Sequence, residues 1–516
     1  MNNTVLITTS GIGERLKYLT EFTNKALVKV GDKFAISHII DNYDDNTDFV
    51  ITLGYFGNHV KEFLTLAYPS KNISYVCIDN YHGEGSSLGY SLLQARHKLQ
   101  KPFVFHCCDS IITKKIDITK EENILYVFPA KNSIHYTSIV TNNDSVQKIN
   151  KKNSDIFDYI YTGICLIHNY IEFWSSLETQ YNIDRYNTQL SDVDSISNMI
   201  HNNDVFKYKV LENWYDIGNI DSYEITTSVF IPKYYVLNKN YESLCFIDNK
   251  VIKFINDKEI NNKRVIRGTK LGSLVPKIYN YSEHFICMEF INGHILSEIY
   301  DSKIVYKLLT WAKKYLWIEQ HQHIDNKNAC KRFYIDKTVN RLNKLDILKH
   351  EVNTINGLEC KNIINTIQNL PLGLLVNDTF CNYHGDFILD NILQCDNRFK
   401  LIDWRHEFDT HIHKGDIYYD IAKLRHNLIF NHSNILNDMY TINYENNNVI
   451  VDLKCNYFLI QQLNDLDKFV IENELNLNRV KLLTSIIWLN MSPLYKGKLR
   501  EFLFYFGKYN LFLLIE

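Results

Sequence analysis

The run Tyr383-His384-Gly385-Asp386-Phe387-Ile388-Leu389-Asp390-Asn391, followed by Leu401-Ile402-Asp403-Trp404, brings a carboxylate, an amide and a second carboxylate into close succession. Asp386 is of the type that takes a proton from an attacking hydroxyl. Asn391 and Asp403 are hard oxygen donors suited to holding Mg²⁺. Together they make the set that phosphoryl transfer to an alcohol requires. A second set stands in the first 230 residues: Ser10, Gly11, Gly13 and Arg15 after an apolar strand, then Lys25, Asp109 and Asp216. Glycines let backbone amides approach phosphate oxygens, and Arg15 adds a forked cation. The chain therefore reads as two sites serving two consecutive steps.

The elements that must position these residues belong to more than one domain. A chain of 516 residues exceeds what one hydrophobic core organises, so two or three domains are expected. Hydrophobic residues at 45% and charged residues at 22% are those of an ordinary globular protein. The net charge of -3 provides no basic footprint, so no nucleic-acid partner is expected. Eleven cysteines are scattered without a C-x-x-C, which points to reduced thiols and a cytoplasmic protein rather than to a zinc or redox centre. No segment has the uninterrupted apolar length of a membrane span, and the first residues lack the pattern of a signal peptide. Oligomeric state is not legible.

Strand and helix alternate through the first third: Val5-Leu6-Ile7, Ala35 to Ile40, Phe49 to Leu53, a helix from Val60, Ile73 to Ile78, Leu88 to Leu99 and Phe103 to Phe105. This spacing predicts a Rossmann-like, doubly wound α/β domain over 1–230 with a mostly parallel sheet. Ligands of such sheets sit beyond the carboxyl ends of the strands, where the Gly11 loop and Asp109 fall. A linker is expected over 231–240, where Pro232 interrupts the pattern. Short apolar runs at Cys245 to Ile247, Val251 to Ile255 and Phe285 to Phe290 predict a small β-rich lobe over 241–295. Long amphipathic stretches such as Leu308 to Gln322 and Leu482 to Leu489 predict a helical lobe over 296–516.

The N-terminal segment Thr8-Thr9-Ser10-Gly11-Ile12-Gly13-Glu14-Arg15-Leu16, with Asn24-Lys25 beyond it, resembles the signature of the sugar-phosphate nucleotidyltransferases. That signature is a Gly-Gly-x-Gly-x-Arg loop followed by Pro-Lys; here Ser10 replaces a glycine and Asn24 the proline. The resemblance continues to about residue 230. Gly85-Ser86 stands where the family meets the nucleotide, and Cys108-Asp109 where it has Gly-Asp. Lys151 or Lys152 falls near a substrate lysine, Thr162-Gly163 matches a substrate-side run, and Trp214 to Asn219 resembles the family's Trp-x-Asp-x-Gly-Thr. The resemblance implies nucleotide binding by Ser10, Gly11, Gly13, Gly85 and Ser86, and Mg²⁺ on Asp109 and Asp216. It further implies charge neutralisation by Arg15 and Lys25, and substrate contact by Lys152, Thr162 and Gly163. Taken singly, Asp109 reads equally well as a turn cap and Asp216 as a helix cap.

Residues 240–516 resemble the aminoglycoside-phosphotransferase and choline-kinase superfamily, which implies a bilobal, protein-kinase-like α+β fold. His384-Gly385-Asp386 with Asn391 matches its catalytic loop. The resemblance makes Asp386 the general base, Asn391 and Asp403 the Mg²⁺ ligands, and Asp420 a brace for the loop. Val251-Ile252-Lys253-Phe254 looks like the strand whose lysine pairs ATP phosphates, and Met288-Glu289-Phe290 like the hinge that meets adenine. No glycine-rich loop is present. Arg405 is open between substrate contact and an ion pair.

A kinase makes a phosphate monoester and a nucleotidyltransferase consumes one. Joined, they convert a small alcohol or sugar, ATP and a second NTP (CTP or UTP) into an NDP-sugar or CDP-alcohol, a precursor for a surface glycan or capsule. The alternative is that one half alone is catalytic and the other senses a ligand or acts as a scaffold.

Overall fold

The computed structural model describes residues 3–118, 121–234, 239, 241–319, 325–377, 379–396 and 398–515. Contacts divide the chain into two compact units, Met1–Asn261 with Tyr279–Met288 and Asn262–Ile278 with Glu289–Glu516.

The first unit is built on a nine-stranded sheet. Its strands run in the order Asn72–Cys77, Asp48–Leu53, Thr4–Thr8, Phe103–Cys107, Tyr159–Ile167, Asn123–Phe128, Phe206–Val210, Ser145–Asn150 and Ser138–Asn142. The first four are parallel, as the alternating pattern predicts. Beyond them Tyr159–Ile167 pairs antiparallel on both sides, Phe206–Val210 runs parallel to Asn123–Phe128, and the last two strands are antiparallel, so antiparallel pairings interrupt the expected parallel sheet. Successive side chains of a strand point to opposite faces, and both faces here are covered. Val5, Ile7, Phe49 and Ile51 pack with the helices Ala35–Ile40 and Gly57–Ala67 through Ile36, Ile39, Val60, Phe63 and Leu64. Leu6, Val50 and Phe105 pack on the other face with Leu92, Phe173, Trp174, Leu177 and Met199 from the helices Leu88–Ala95, Tyr170–Ile183 and Asp192–His201. The predicted helix to Leu99 tightens to a 3-10 turn at Arg96–Lys98.

A small antiparallel sheet follows, with Glu242–Ile247 beside Lys250–Ile255. Cys245, Ile247, Ile252, Phe254, Phe285 and Cys287 share the buried cluster of Phe34 and Phe63. The small sheet thus has a common core with the α/β layers. Within the 231–240 stretch, residues 235–238 and 240 lie outside the described residues.

The second unit is mainly helical, with Ile304–Tyr315, Ile417–Ile429, Tyr457–Glu472, Leu477–Met491 and Gly497–Ile515. The helix predicted over Leu308 to Gln322 ends at Tyr315, and 320–322 lie outside the described residues. A three-stranded sheet of His294–Ile295, Ile392–Cys395 and Arg398–Leu401 carries the second set of acids. Its hairpin register, Ile392 opposite Leu401, puts Asn391 and Asp403 just outside the same end. All eleven cysteines are free thiols. No helix among the described residues is long and apolar enough to cross a membrane.

Candidate functional site

In the first unit, parallel register aligns Thr8 with Thr52 and Cys107, and Leu53 with Cys77. The loops bearing Ser10 to Gly13, Gly85-Ser86 and Asp109 therefore leave one sheet edge. Asp109 meets Asp216 because Tyr215–Asp216 pairs antiparallel with Ser110–Ile111, and the Ile217 amide donates to the Asp109 carbonyl at 3.0 Å. The side chains converge over Gly218. A carbon placed on its Cα would lie 3.0 Å from Asp216 Oδ1, 3.4 Å from Arg15 Nη2 and 3.4 Å from Asp109 Oδ2. The glycine leaves a cradle lined by two carboxylates and a guanidinium.

Lys25 Nζ is 3.4 Å from Asp109 Oδ2. Asn24 is fully buried and holds this lysine's turn. Its Oδ1 accepts from the Ala26 amide at 2.8 Å, and its Nδ2 donates to the Thr9 and Tyr55 carbonyls at 2.7 and 2.6 Å. Gly13 packs on Lys25, with a side-chain carbon there falling 3.1 Å from Lys25 Cβ. Burial raises the Asp109 carboxyl, but Lys25, a hydrogen bond from Cys107 and Arg15 outweigh it and bring it down to about 2. Asp216 moves the other way. Burial raises it first and Asp109 repels it further, against hydrogen bonds from the Gly218 amide at 2.8 Å and Tyr136 Oη at 3.0 Å. Two close carboxylates that repel each other form a donor set suited to a divalent cation.

The other predicted residues divide into those that brace this centre and those that stand apart. Thr162 is buried; its carbonyl accepts from Ser110 Oγ at 2.7 Å, next to Asp109, and its hydroxyl donates to Tyr126 at 2.7 Å. Gly163 at φ 76 forms the bulge that lets Cys107 Sγ approach. Both pack on the residues that flank Asp109. Ser10 is buried with its Oγ 2.9 Å from Ser91 Oγ, whereas Gly11 faces open space. Gly85 takes φ 78, and Ser86 Oγ donates to the Gly83 carbonyl at 2.7 Å. Lys152 is exposed after the Ser145–Asn150 strand and takes no part in the contacts joining Asp109 to Asp216. Sequence reasoning missed Tyr136, which gave no motif signal, and Asn24 as a positioning group.

In the second unit, Asp386 is gripped on both oxygens. Lys423 Nζ lies 2.8 Å from Oδ1, and Asn391 Nδ2 donates to Oδ2 at 3.0 Å. Burial raises the Asp386 carboxyl, but Lys423 and His384 outweigh it and hold it below the ordinary range, with Asp403 opposing them. The Ile402 amide donates to the Asn391 carbonyl at 2.9 Å, so the hairpin delivers Asn391 and Asp403 together. Asp403 takes left-handed backbone, φ 54, and its Oδ1 pairs with Arg264 Nη1 at 2.9 Å. An amide and a carboxylate at one hairpin end, beside Asp386, are a donor set that suits Mg²⁺.

Asp420 is fully buried beneath this loop. It accepts from the His384 amide at 2.7 Å, the Gly385 amide at 2.6 Å and Trp317 Nε1 at 3.0 Å. His384 packs inward, its Nε2 2.9 Å from the Ile402 carbonyl, and burial lowers it to about 4. Gly385 at φ 86 is required: a Cβ there would fall 2.5 Å from Arg405 Cβ. Among the described residues Arg405 pairs with no acid; its Nε donates to the Glu407 carbonyl at 2.9 Å and its guanidinium carbon lies 5.0 Å from the Phe333 ring centre. Glu289 closes the Phe285–Glu289 strand, its amide donating to the Lys277 carbonyl at 2.8 Å. Lys253 belongs to the first unit, where it lies 3.3 Å from Glu242 on the adjacent strand. The sequence reading did not single out Lys423, although its i+3 spacing from Asp420 puts both on one helix face.

No protein-family model matches the chain. Reticulocyte-binding protein homolog 1 of Plasmodium falciparum (isolate 3D7) is 24% identical over 408 residues, 75% of this chain, and the chain spans 13% of that protein's length. Among solved structures, CTP:phosphocholine cytidylyltransferase from Streptococcus pneumoniae is similar to 44% of this chain over 99% of its own, at 19% identity and a TM-score of 0.39. A putative glucose-1-phosphate thymidylyltransferase from Bacillus anthracis is similar to 46% of this chain over 98% of its own, at 19% identity and a TM-score of 0.39. The inositol-1-phosphate CTP transferase from T. maritima covers 44% of this chain and 96% of its own, at 15% identity and a TM-score of 0.36.

Proposed function

We propose that the protein is bifunctional: the second unit phosphorylates a small alcohol or sugar with ATP, and the first transfers a nucleotidyl group from CTP or UTP to the resulting phosphate. The observation that carries this reading is the convergence of Asp109, Asp216 and Arg15 over Gly218, with Lys25 on Asp109.

In the first unit the monoester oxygen bonds to the α-phosphorus, and the bond to pyrophosphate breaks. No protein nucleophile is needed. Arg15 and Lys25 neutralise the triphosphate and the charge that develops during transfer. Asn24 fixes the turn that aims Lys25, and Tyr136 and the Gly218 amide orient Asp216. In the second unit Asp386 accepts the proton of the acceptor hydroxyl as its oxygen bonds to the γ-phosphorus and ADP departs. Lys423 keeps Asp386 ionised, and Asp420 holds the loop that presents it. Asp109 with Asp216, and Asn391 with Asp403, would hold Mg²⁺, which would supply positive charge between the anionic reactants. The product class, an NDP-sugar or CDP-alcohol, is a precursor for surface glycan synthesis.

A reading in which the first unit alone is catalytic is favoured by one contact, Arg264 on Asp403, where a cation already sits on a metal ligand. Both readings are tested by incubating the full chain and Mg²⁺ with alcohols and sugars, ATP and either CTP or UTP, and following products by mass spectrometry. The bifunctional reading expects a phosphorylated acceptor with ATP, and a nucleotide conjugate plus pyrophosphate once CTP or UTP is added. Conjugates formed only from pre-phosphorylated acceptors favour the single-site reading. No conjugate from any phosphate monoester overturns both.

A further inference from the structure

Lys423, the ion-pair partner of Asp386, belongs to a group of four cations drawn from three elements of the second unit. Phe333 lies on the π-helical turn Lys331–Asp336, and Lys337 and Arg341 follow at four-residue steps along Lys337–Leu342, on one face. Lys337 Nζ lies 4.2 Å from the Phe333 ring centre, and the Arg405 guanidinium carbon 5.0 Å from the same ring. Arg405 in turn packs on Gly385, the residue before Asp386. Lys423 arrives from the helix Ile417–Ile429 to touch Asp386 Oδ1. All four cations are half-buried.

The neighbouring acids are already engaged. Asp409 is held by Arg332 at 2.8 and 2.9 Å, Glu407 by Lys263 at 2.9 Å and Asp403 by Arg264 at 2.9 Å. Among the described residues neither Lys337 nor Arg405 has a carboxylate at ion-pair distance, and Arg341 donates to the Asn490 carbonyl at 3.1 Å. Like charges four residues apart on a helix repel, and burial sharpens the repulsion. Burial first, then Arg405, Arg341 and Lys423, push the Lys337 ammonium down to about 6, against the weaker pull of Asp409. An anion placed among these cations would offset their repulsion. The two oxygens of Asp386 also separate its surroundings. Oδ2 accepts from Asn391, on the side of the proposed metal ligands, and Oδ1 meets Lys423, on the side of the cluster.

We propose that the alcohol phosphorylated at Asp386 carries its own carboxylate or phosphate group, held by Lys337, Arg341 and Arg405. The acceptor is then an anionic alcohol, not a neutral polyol or a quaternary ammonium alcohol, which this cluster repels. The inference rests on the kinase reading of the second unit.

The test uses the full chain with Mg²⁺ and ATP and matched acceptors: glycerol, glycerate and glycerol phosphate; glucose and glucuronate; and choline. Glycerate against glycerol phosphate separates the carboxylate source from the phosphate source. The expected result is a kcat/KM at least about 10-fold higher for an anionic member than for its neutral counterpart, with choline not turned over. Lys337→Met should raise the KM for that anionic acceptor by about 10- to 100-fold at unchanged KM for ATP, Lys337→Arg should restore most of it, and nucleotidyl transfer should be unaffected in both. Preferred turnover of glycerol, glucose or choline, insensitive to Lys337→Met, overturns the anionic acceptor and leaves the kinase intact. A Lys337→Met effect on the KM for ATP alone assigns the cluster to ATP phosphates and also overturns it. No phosphorylation of any acceptor, with no ATP turnover that Asp386→Asn abolishes, removes the kinase reading and this inference with it.

Discussion

The first-unit site draws Arg15, Lys25 and Asp109 from the ends of two adjacent strands of a nine-stranded sheet and Asp216 from a separate strand pair more than 100 residues on, whereas the second-unit site takes Asp386, Asn391 and Asp403 from one loop and one hairpin. In the first, parallel strands gather distant residues at a shared edge, and a two-residue strand pair closes Asp109 onto Asp216. In the second, sequence proximity does the gathering, and a buried carboxylate, Asp420, fixes the loop from beneath. The charge settings differ too. Asp109 is pulled down by Lys25 while Asp216 is pushed up, leaving the pair unequal; Asp386 sits between Lys423 and Asn391. A site assembled over distance depends on backbone contacts far from its chemistry. A site assembled locally depends on its brace.

The largest effect should come from removing the cation that faces Asp109. Lys25→Ala is expected to lower nucleotidyl transfer by about 10²- to 10³-fold while leaving acceptor phosphorylation unchanged, measured as pyrophosphate release and ADP formation on one preparation. Next is the brace. Asp420→Ala leaves the His384 and Gly385 amides and Trp317 without an acceptor, and should destabilise the second unit by about 2–4 kcal/mol in denaturant unfolding. An unchanged midpoint would break the contrast between a braced loop and a sheet edge.

A buried acid sharpens the comparison through pH. Burial pushes the Asp192 carboxyl of the first unit up to about 6, although Tyr161 Oη donates to it at 2.8 Å. The folded protein therefore holds this proton where the unfolded chain releases it. The associated stability is fully present below the ordinary carboxylate range and is lost as pH rises through about 6, by up to about 3 kcal/mol. Asp192→Asn should remove that slope, read from unfolding free energies at pH 4 and pH 7. The smallest effect is expected from Gly218→Ala, whose added carbon would fall 3.0 Å from Asp216 Oδ1. Nucleotidyl transfer should drop by about 10-fold with phosphorylation intact.

Legibility in the sequence followed the same division. His384 to Asp403 is a short run whose spacing already implied a loop and a strand, and the structure brings its acids to one hairpin end. Three of the parallel strands were equally plain, because Thr4–Thr8, Asp48–Leu53 and Phe103–Cys107 are buried almost throughout and read as apolar runs, while the edge strand Asn72–Cys77, largely part-exposed, was legible from the strand–helix alternation. The second half of the sheet was not, since Ser138–Asn142 and Ser145–Asn150 bury few of their residues, meet at a tight turn and carry no motif. Tyr136 could not be found from sequence: it reaches Asp216 across 80 residues and is one of 35 tyrosines. Asn24 looked like a departure from a pattern, but its side chain bridges Thr9, Tyr55 and Ala26, which no proline can do. The predicted helix to Gln322 overran because Leu316 and Trp317 continue the apolar pattern after the helix has ended, with the Trp317 amide turned back to the Ala312 carbonyl.

The central claim is that two independent centres act in one chain, and crossed assays of Asp216→Ala and Asp386→Ala test it most directly. With ATP, acceptor and CTP or UTP supplied to each variant, the account predicts that Asp216→Ala accumulates phosphorylated acceptor without releasing pyrophosphate. Asp386→Ala should form no phosphorylated acceptor yet convert one that is supplied. Loss of both steps in either variant, or of neither step in both, would contradict it.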